Sequence, residues 1–110
     1  MLVLGRVLAA PLAAQVLGDL GAEVIKIERP DGGDDTRPWK PPEVAGNSAY
    51  FSSINRNKRS VTIDFSKPEG RDVFYEMVKQ SDVVIENFRP GVTERLGIDY
   101  ETVGKLNSSL

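Results

Sequence analysis

The sequence contains no cysteine and no histidine. Without cysteine, disulfide bonds and thiolate metal sites are excluded within these 110 residues. Without histidine, the chain also lacks the commonest metal ligand and the side chain that most often acts as a base at neutral pH. Zinc chemistry and catalysis by a Ser-His or Cys-His pair are therefore excluded within the chain, and no metal site is expected.

A long uninterrupted apolar run is also missing. The most apolar stretch, Met1–Leu17, is broken by Gly5, Arg6, Pro11 and Gln15, whereas a membrane-spanning helix needs roughly 20 apolar residues. The stretch also lacks the charged leader and the cleavage site of a secretory signal. We therefore expect no membrane partner and a cytoplasmic location.

The chain carries little charge of one sign. Its 14 basic and 16 acidic residues give a formal net charge of −2, so it has no long-range field of the kind that non-specific nucleic-acid binders use. The contents of 40% hydrophobic and 27% charged residues are those of a globular domain. We expect one domain over residues 1–110 and no nucleic-acid partner.

Strand-like and helix-like segments alternate along the chain. Short β-branched runs predict strands, whereas one-face apolar spacing and end signals predict helices. The predicted strands are Met1–Leu4, Glu23–Glu28, Ser60–Phe65 and Asp82–Glu86, and the predicted helices are Ala10–Leu20, 66–80 and Tyr100–Leu106. This alternation predicts a three-layer α/β domain with a largely parallel sheet.

Local signals mark three of the helix boundaries. Pro11 suits a first helical turn, where its missing N–H has no intrahelical partner, and Gly21 suits the left-handed position after the helix. Ser66 and Glu69 have the spacing of a capping box at the start of the next helix. Between strands two and three, the Pro-, Gly- and Asp-rich segment Arg29–Asn47 predicts a long loop, and such loops are usually functional or disordered.

Arginines cluster where a ligand would bind. Gly5–Ala10, the segment from Arg29 and Asn87–Gly91 all follow predicted strands, and open α/β sheets bind ligands at that edge. Arg29 and Arg89 lie in two of these segments, and Arg95 follows soon after. A guanidinium group matches phosphate with two hydrogen bonds, which favours a ligand with several phosphates, although the pattern also fits solvated surface arginines.

Glu28 suggests a different ligand. An acidic residue that ends the second strand of a β-α-β unit holds the ribose in dinucleotide-binding domains. The glycine-rich turn that should precede it is absent, because the chain reads Gly-Arg-Val-Leu-Ala-Ala-Pro over residues 5–11. The nicotinamide or flavin interpretation is therefore disfavoured.

Other side chains are compatible with ligand contact or with plain surface. The basic residues Arg56, Lys58 and Arg59 form a short segment without interleaved aromatics, which favours a local anion site or a solvated surface over nucleic-acid binding. The position of Phe88 at the end of a strand favours contact with a ligand, whereas Trp39 is interpreted as covering the edge of the core.

Several longer motifs resemble those of the class III CoA-transferases, whose members include formyl-CoA and carnitine CoA-transferases. The motifs are RVLAAP at 6–11, LGDLGAEVIKIERP at 17–30, DDTR at 34–37, NRNKRS at 55–60 and VIENFRPG at 84–91, and they occur in the family's order over nearly the whole chain.

The resemblance implies a Rossmann-like domain that binds coenzyme A, in a longer chain that forms an interlocked homodimer. It implies transfer of CoA between an acyl-CoA and a carboxylic acid through an aspartyl-CoA thioester, with coenzyme A as substrate and no cofactor. By position, it implies that eight residues lie at or near the CoA site: Leu8, Ala9, Arg29, Ile63, Asn87, Phe88, Arg89 and Arg95.

The resemblance also implies that this chain is truncated and inactive alone. The family's catalytic aspartate follows a glycine-rich segment downstream of the region that ends at Leu110, so no catalytic residue is assigned here. The family often has aspartate where Val3 stands and glycine where Ala10 stands, and alanine at position 10 would restrict approach of the backbone to the ligand. An α-methylacyl-CoA racemase of the same fold and a non-catalytic CoA-binding module remain alternatives.

Overall fold

A four-stranded parallel sheet forms the centre of the protein. The computed structural model describes residues 1–110. The elements in chain order are β1 (Leu2–Val3), α1 (Ala9–Asp19), β2 (Val24–Glu28), β3 (Glu43–Val44), β4 (Asn47–Ser48), α2 (Ala49–Ser53), β5 (Lys58–Thr62), α3 (Pro68–Lys79), β6 (Val84–Ile85), α4 (Val92–Leu96) and α5 (Tyr100–Gly104). The sheet has the spatial order β5-β2-β1-β6, which confirms the predicted α/β class and matches the first four strands of a Rossmann-type sheet.

Alternate residues of the central strands face opposite helical layers. Leu2 and Leu4 belong to the larger apolar cluster, which includes Phe74 of α3 and Val103 of α5. Val3 belongs to a smaller cluster with Ala14 of α1 and with Val24. The two-residue period of a strand thus separates α1 from α3 and α5, and produces the predicted three layers.

The first helix follows the predicted boundaries closely. Pro11 lies in its first turn, and Gly21 follows its end with a φ of 104°. The helix buries the small side chains Ala10 and Ala14, whereas Val16 and Leu20 are 52% and 80% exposed on its outer side. Because the side chains that α1 turns toward the sheet are small, the helix packs close to the sheet.

The capping-box prediction at α3 is wrong. The residue that precedes the helix is Lys67, and no side chain caps it. The Ser66 hydroxyl donates instead to Asp64 Oδ1 at 2.6 Å, and the Ser66 amide donates to the same oxygen at 3.0 Å. Asp64 outcompetes the helix start because its carboxylate is two residues away and forms a local turn.

The segment Arg29–Asn47 contains a regular element that the sequence did not predict. β3 and β4 pair antiparallel, and Ser48 caps α2 by accepting a hydrogen bond from the Phe51 amide at 3.2 Å. This small hairpin lies apart from the main sheet.

Strand β5 begins and ends earlier than predicted. It pairs with β2 over five residues, from Val24 opposite Lys58 to Glu28 opposite Thr62. Because β2 pairs with Lys58 and Arg59, β5 begins within the basic segment. Residues Ile63–Phe65 follow the end of β5. Helix α4 was not predicted, and α5 covers most of the predicted Tyr100–Leu106.

Candidate functional site

A cleft of about 260 Å³ opens at the carboxyl ends of the parallel strands. Its apolar lining includes Leu4, Ile27, Ile63, Phe65, Phe88 and Leu96, and its polar lining includes Arg6, Arg29, Arg95, Glu28, Asp34 and Asp64. An apolar surface surrounded by guanidinium groups suits a ligand that has both a ring or chain and phosphates.

A second cleft of about 460 Å³ adjoins the first. Arg6, Phe88 and Val92 line both clefts, whereas Asn87 and Arg89 line only the second. The second cleft lies between the loop after β1 and the turn after β6. The chain order of the sheet reverses between these two strands, and open α/β sheets bind ligands at such a point.

The structure brings six of the eight sequence-predicted residues to these clefts. Arg29, Ile63 and Arg95 line the first cleft, Asn87 and Arg89 line the second, and Phe88 lines both. The other two predicted residues, Leu8 and Ala9, line neither cleft.

Leu8 and Ala9 lie instead at the exposed beginning of α1. No side chain caps this end, and the first turn carries no acidic residue. Its first backbone N–H groups therefore have no partner within the helix, and the positive end of the helix dipole favours an anion there.

The arginines of the clefts differ in their pairing. Asp35 lies between two of them, 2.8 Å from Arg29 Nη2 and 3.4 Å from Arg6 Nη1. Arg89 and Arg95 are exposed and form no ion pair with any carboxylate of the chain. Arg89 and Arg95 are thus free to meet an anion, whereas Arg29 would exchange Asp35 for it.

Sequence reasoning missed Arg6 and the helix α4. The Arg6 guanidinium lies 5.5 Å from the centre of the Phe88 ring, in cation–π range. Helix α4 supplies Val92, Leu96 and Arg95 to the first cleft. Its signal was the pair Gly91 and Gly97, which bound the helix with φ values of 87° and 71°.

Glu28 cannot hold a ribose, because its carboxylate is already satisfied. It accepts hydrogen bonds from Arg37 Nε at 2.7 Å, Arg37 Nη2 at 2.6 Å, the Asp34 amide at 2.9 Å and the Ser60 hydroxyl at 2.5 Å. Burial alone would raise the pKa of Glu28, but the hydrogen bonds from Arg37, Ser60 and the Asp34 amide outweigh it and lower the pKa to about 2. The glutamate therefore stabilises the loop after β2 and is not a ligand for a dinucleotide.

Asp34 forms a buried ion pair with Lys26, and each residue is 1% exposed. The Lys26 ammonium lies 2.8 Å from Asp34 Oδ2, and this oxygen has no other partner. The second oxygen, Oδ1, accepts from the amide and hydroxyl of Thr36 and from the Val7 amide. Burial acts to raise the pKa of Asp34, but Lys26 and Thr36 together hold it below the ordinary value.

The loop between β1 and α1 is held in a strained conformation. Val7 has a φ of 67°, which is an outlier for a β-branched residue and costs on the order of 1–3 kcal/mol. Gly5 is tightly enclosed, because a Cβ atom there would lie 2.3 Å from the Ala10 Cβ and 2.5 Å from Asn87 Oδ1. The Ala10 methyl group thus points into the interior beside Gly5, at a residue that is 3% exposed.

The basic segment after α2 binds its own chain. Arg56 pairs with Asp19 at 2.6 Å, and Arg59 pairs with Glu23. The Lys58 ammonium donates to the Pro11 and Ile54 carbonyls and to Asn55, and burial lowers its pKa to about 8. These contacts pair the three basic side chains within the chain and join α1 and α2 to the sheet.

Trp39 is 46% exposed and packs edge-on against Tyr50, with ring centres 5.1 Å apart. It lines neither cleft. No helix of the structure has both the length and the hydropathy needed to cross a membrane.

The parallel sheet and its switch point define the chain as a Rossmann-like α/β domain, and its arginine-lined clefts have a lining whose chemistry suits an anionic, partly apolar ligand. Comparison with known proteins then identifies the family. The chain matches the CoA-transferase family III model over residues 1–110 and belongs to that family. The resemblance inferred from the motifs is thereby confirmed.

Two relatives named as CoA-transferases share nearly half of the residues. The chain is 49% identical to the succinyl-CoA:glutarate CoA-transferase of Mus musculus, over 96% of this chain and 24% of the relative. It is 42% identical to the formyl-CoA:oxalate CoA-transferase of Afipia carboxidovorans, over 96% of this chain and 25% of the relative. The chain thus spans about a quarter of the length of these relatives.

The fold has a solved counterpart. The crystal structure of a CAIB/BAIF family protein from Brucella suis superposes with a TM-score of 0.89 at 49% identity, and the match covers 96% of this chain and 29% of that one.

Proposed function

We propose that this chain is the N-terminal part of the CoA-binding domain of a CoA-transferase. The family match over residues 1–110 carries the proposal, and the clefts support it because their chemistry suits coenzyme A. Arg29, Arg89 and Arg95 would bind phosphates, whereas Ile63 and Phe88 would contact the adenine or the pantetheine chain.

In the complete enzyme, CoA would move from an acyl-CoA to a carboxylic acid through an enzyme aspartyl thioester. An aspartate oxygen attacks the thioester carbonyl, and CoA thiolate leaves, which produces a mixed anhydride. The thiolate then attacks the aspartyl carbonyl and releases the first acid. The second acid reverses these steps and takes the CoA.

The nucleophilic aspartate would lie outside these 110 residues. Three carboxylates line the first cleft, and each already has a partner: Glu28 has Arg37, Asp34 has Lys26 and Asp64 has Ser66. Such contacts stabilise the negative charge of a carboxylate and lower its nucleophilicity, so this observation favours an aspartate from elsewhere. We therefore expect the chain alone to bind CoA without turnover.

Calorimetric titration of the chain with CoA, dephospho-CoA and pantetheine tests the binding. We expect CoA to bind tightest and pantetheine weakest, because the arginines recognise phosphate. Arg95→Ala should weaken CoA binding about tenfold, as for the loss of one charge-assisted hydrogen bond. The matched control Arg59→Ala should not, since Arg59 pairs with Glu23 away from the clefts.

Absence of CoA binding by the unmodified chain would overturn the binding proposal. The transfer reaction is tested separately, by mass-spectrometric detection of CoA exchange between acids in a full-length polypeptide containing this sequence. Exchange of an α-proton with deuterated solvent, without CoA transfer, would indicate the racemase instead. A cytoplasmic location and an interlocked homodimer are part of the proposal, and light scattering on the full-length protein tests the dimer.

A further inference from the structure

Three side chains from three different parts of the chain converge on the strained loop after β1. Lys26 of β2 donates to the Gly5 carbonyl at 2.9 Å. Asp34, from the loop after β2, accepts from the Val7 amide at 3.3 Å. Asn87, from the turn after β6, accepts from the Arg6 amide and donates to the Arg6 carbonyl, both at 3.0 Å. Each residue of Gly5–Val7 is thus held through its backbone.

This loop contributes to the lining of both clefts. Arg6 lines both clefts and Val7 lines the second. The next residue, Leu8, precedes the uncapped beginning of α1. The conformation of the loop therefore sets where one guanidinium group and the first helical amides point.

A loop with an unfavourable φ relaxes unless its surroundings prevent it. Val7 at a φ of 67° supplies the strain. Burial of Lys26 and Asp34, each 1% exposed, supplies the restraint, because neither can find water as a substitute partner. Asn87 adds a restraint across the switch point of the sheet, where it joins the loop after β1 to the turn after β6.

We propose that Lys26, Asp34 and Asn87 are positioning residues that preorganise the Gly5–Val7 loop for ligand binding. The inference rests on the proposed CoA site and deepens it. For Asn87, which the family resemblance places among the ligand contacts, it assigns a different role to the side chain. The Asn87 side chain accepts one hydrogen bond from the Arg6 backbone and donates another to it. Only its second amide hydrogen, its remaining oxygen lone pair and its own backbone are left to bind a ligand.

The first test is Asn87→Ala, with Asn47→Ala as the matched control. The Asn47 amide bonds only the Ala45 carbonyl, in the β3–β4 hairpin. Amide hydrogen exchange of Arg6 and Val7 is measured by NMR without ligand, and CoA affinity is measured by calorimetry. In Asn87→Ala we expect the protection of these amides to fall about tenfold and CoA affinity to fall about tenfold, whereas Asn47→Ala changes neither.

The second test is the double variant Lys26→Met with Asp34→Asn. It removes both buried charges together and nearly conserves volume, so it avoids the unpaired charge that a single replacement would leave. Both side chains are buried, so a loss of CoA affinity that accompanies a loss of Arg6 and Val7 protection in the folded variant would act through the loop. We expect the same paired loss of protection and affinity, measured at a temperature where circular dichroism shows the variant fully folded.

The outcomes separate this inference from the proposed function. Weaker CoA binding with unchanged exchange of Arg6 and Val7 would make Asn87 a direct contact and overturn the positioning role. Unchanged binding in both variants would overturn it as well. If the unmodified chain binds no CoA, the proposed function fails, and the exchange measurement alone decides whether the three side chains hold the loop.

Discussion

Asp35 is a carboxylate among the arginines of the clefts, and it lines the second cleft itself. It pairs with Arg29 and Arg6, and its side chain is 40% exposed. Such partly exposed pairs contribute little to stability. Their main effect here is that Asp35 reduces the net positive charge that an anion would meet in the clefts.

Asp35→Asn should therefore strengthen CoA binding, by about threefold, since it removes a competing negative charge worth less than about 1 kcal/mol. The effect should be measured by calorimetry at low salt. The control is Asp72→Asn, on the exposed side of α3. Weaker binding in Asp35→Asn would instead show that the carboxylate orients the two arginines for the ligand.

Glu28 should make the stability of the chain sensitive to acid. Its pKa is about 2 in the folded protein, compared with 4.5 for an unperturbed glutamate. Between these values the unfolded state binds more protons, so stability is present above about pH 4.5 and is lost as pH falls through about 2.

Glu28→Gln should lower the free energy of unfolding at pH 7 by about 3 kcal/mol, because it leaves the Arg37 guanidinium without its partner. The difference from the unmodified chain should shrink steadily as pH falls below about 4.5. Urea denaturation across this range measures it, with the exposed Asp82→Asn as control. A difference that is independent of pH would show that the ion pair is not its source.

At the scale of elements, the junction of β1 and α1 is tightly packed. Gly5 is enclosed between the Ala10 methyl group and the Asn87 amide. The close approach brings the start of α1 against the end of β1, which places the uncapped helix end beside the clefts.

Gly5→Ala should destabilise the chain by about 1–3 kcal/mol, the usual cost of an added methyl group in a packed site. It should also displace Asn87 and weaken CoA binding. Thermal unfolding and calorimetry measure the two effects. The control Gly104→Ala meets only the Tyr100 ring at 3.4 Å or more and should be neutral or stabilising. Equal stability of the two variants would contradict the crowding seen at Gly5.

For the whole molecule, the balance of charge matters less than its distribution. The net charge is −2, yet Arg6, Arg29, Arg89 and Arg95 lie along one edge of the sheet. The radius of gyration of 13.9 Å is close to the roughly 13 Å expected for a compact domain of this length. A compact body with a local positive edge attracts an anion only at short range.

CoA binding should therefore weaken as salt is raised, whereas pantetheine binding should not, because only CoA presents phosphates to the arginines. Calorimetric titration of both ligands at low and high ionic strength checks this. The same salt dependence for both ligands would show that the arginine edge does not recognise the phosphates.

Several features could be predicted from the sequence because their causes are local. The alternation of apolar strands with one-face helices predicted the α/β class, and Pro11 and Gly21 marked the ends of α1 through their own backbone preferences. The arginines after the strands predicted the ligand edge, since all parallel strands end on the same side of a sheet. The motifs predicted the family, which the match over residues 1–110 confirmed.

Only the tertiary structure decided which polar groups are free and which are used. Glu28 and Arg37 are nine residues apart, Lys26 and Gly5 are 21 apart, and Asn87 and Arg6 are 81 apart. No local pattern reports such pairs, because hydrogen bonds between distant residues form only after the chain has folded. The sequence by itself determined that arginines and carboxylates follow the strands at one edge of the sheet. Folding determined that the carboxylates lining the first cleft bind groups of their own chain, while Arg89 and Arg95 remain unpaired and exposed.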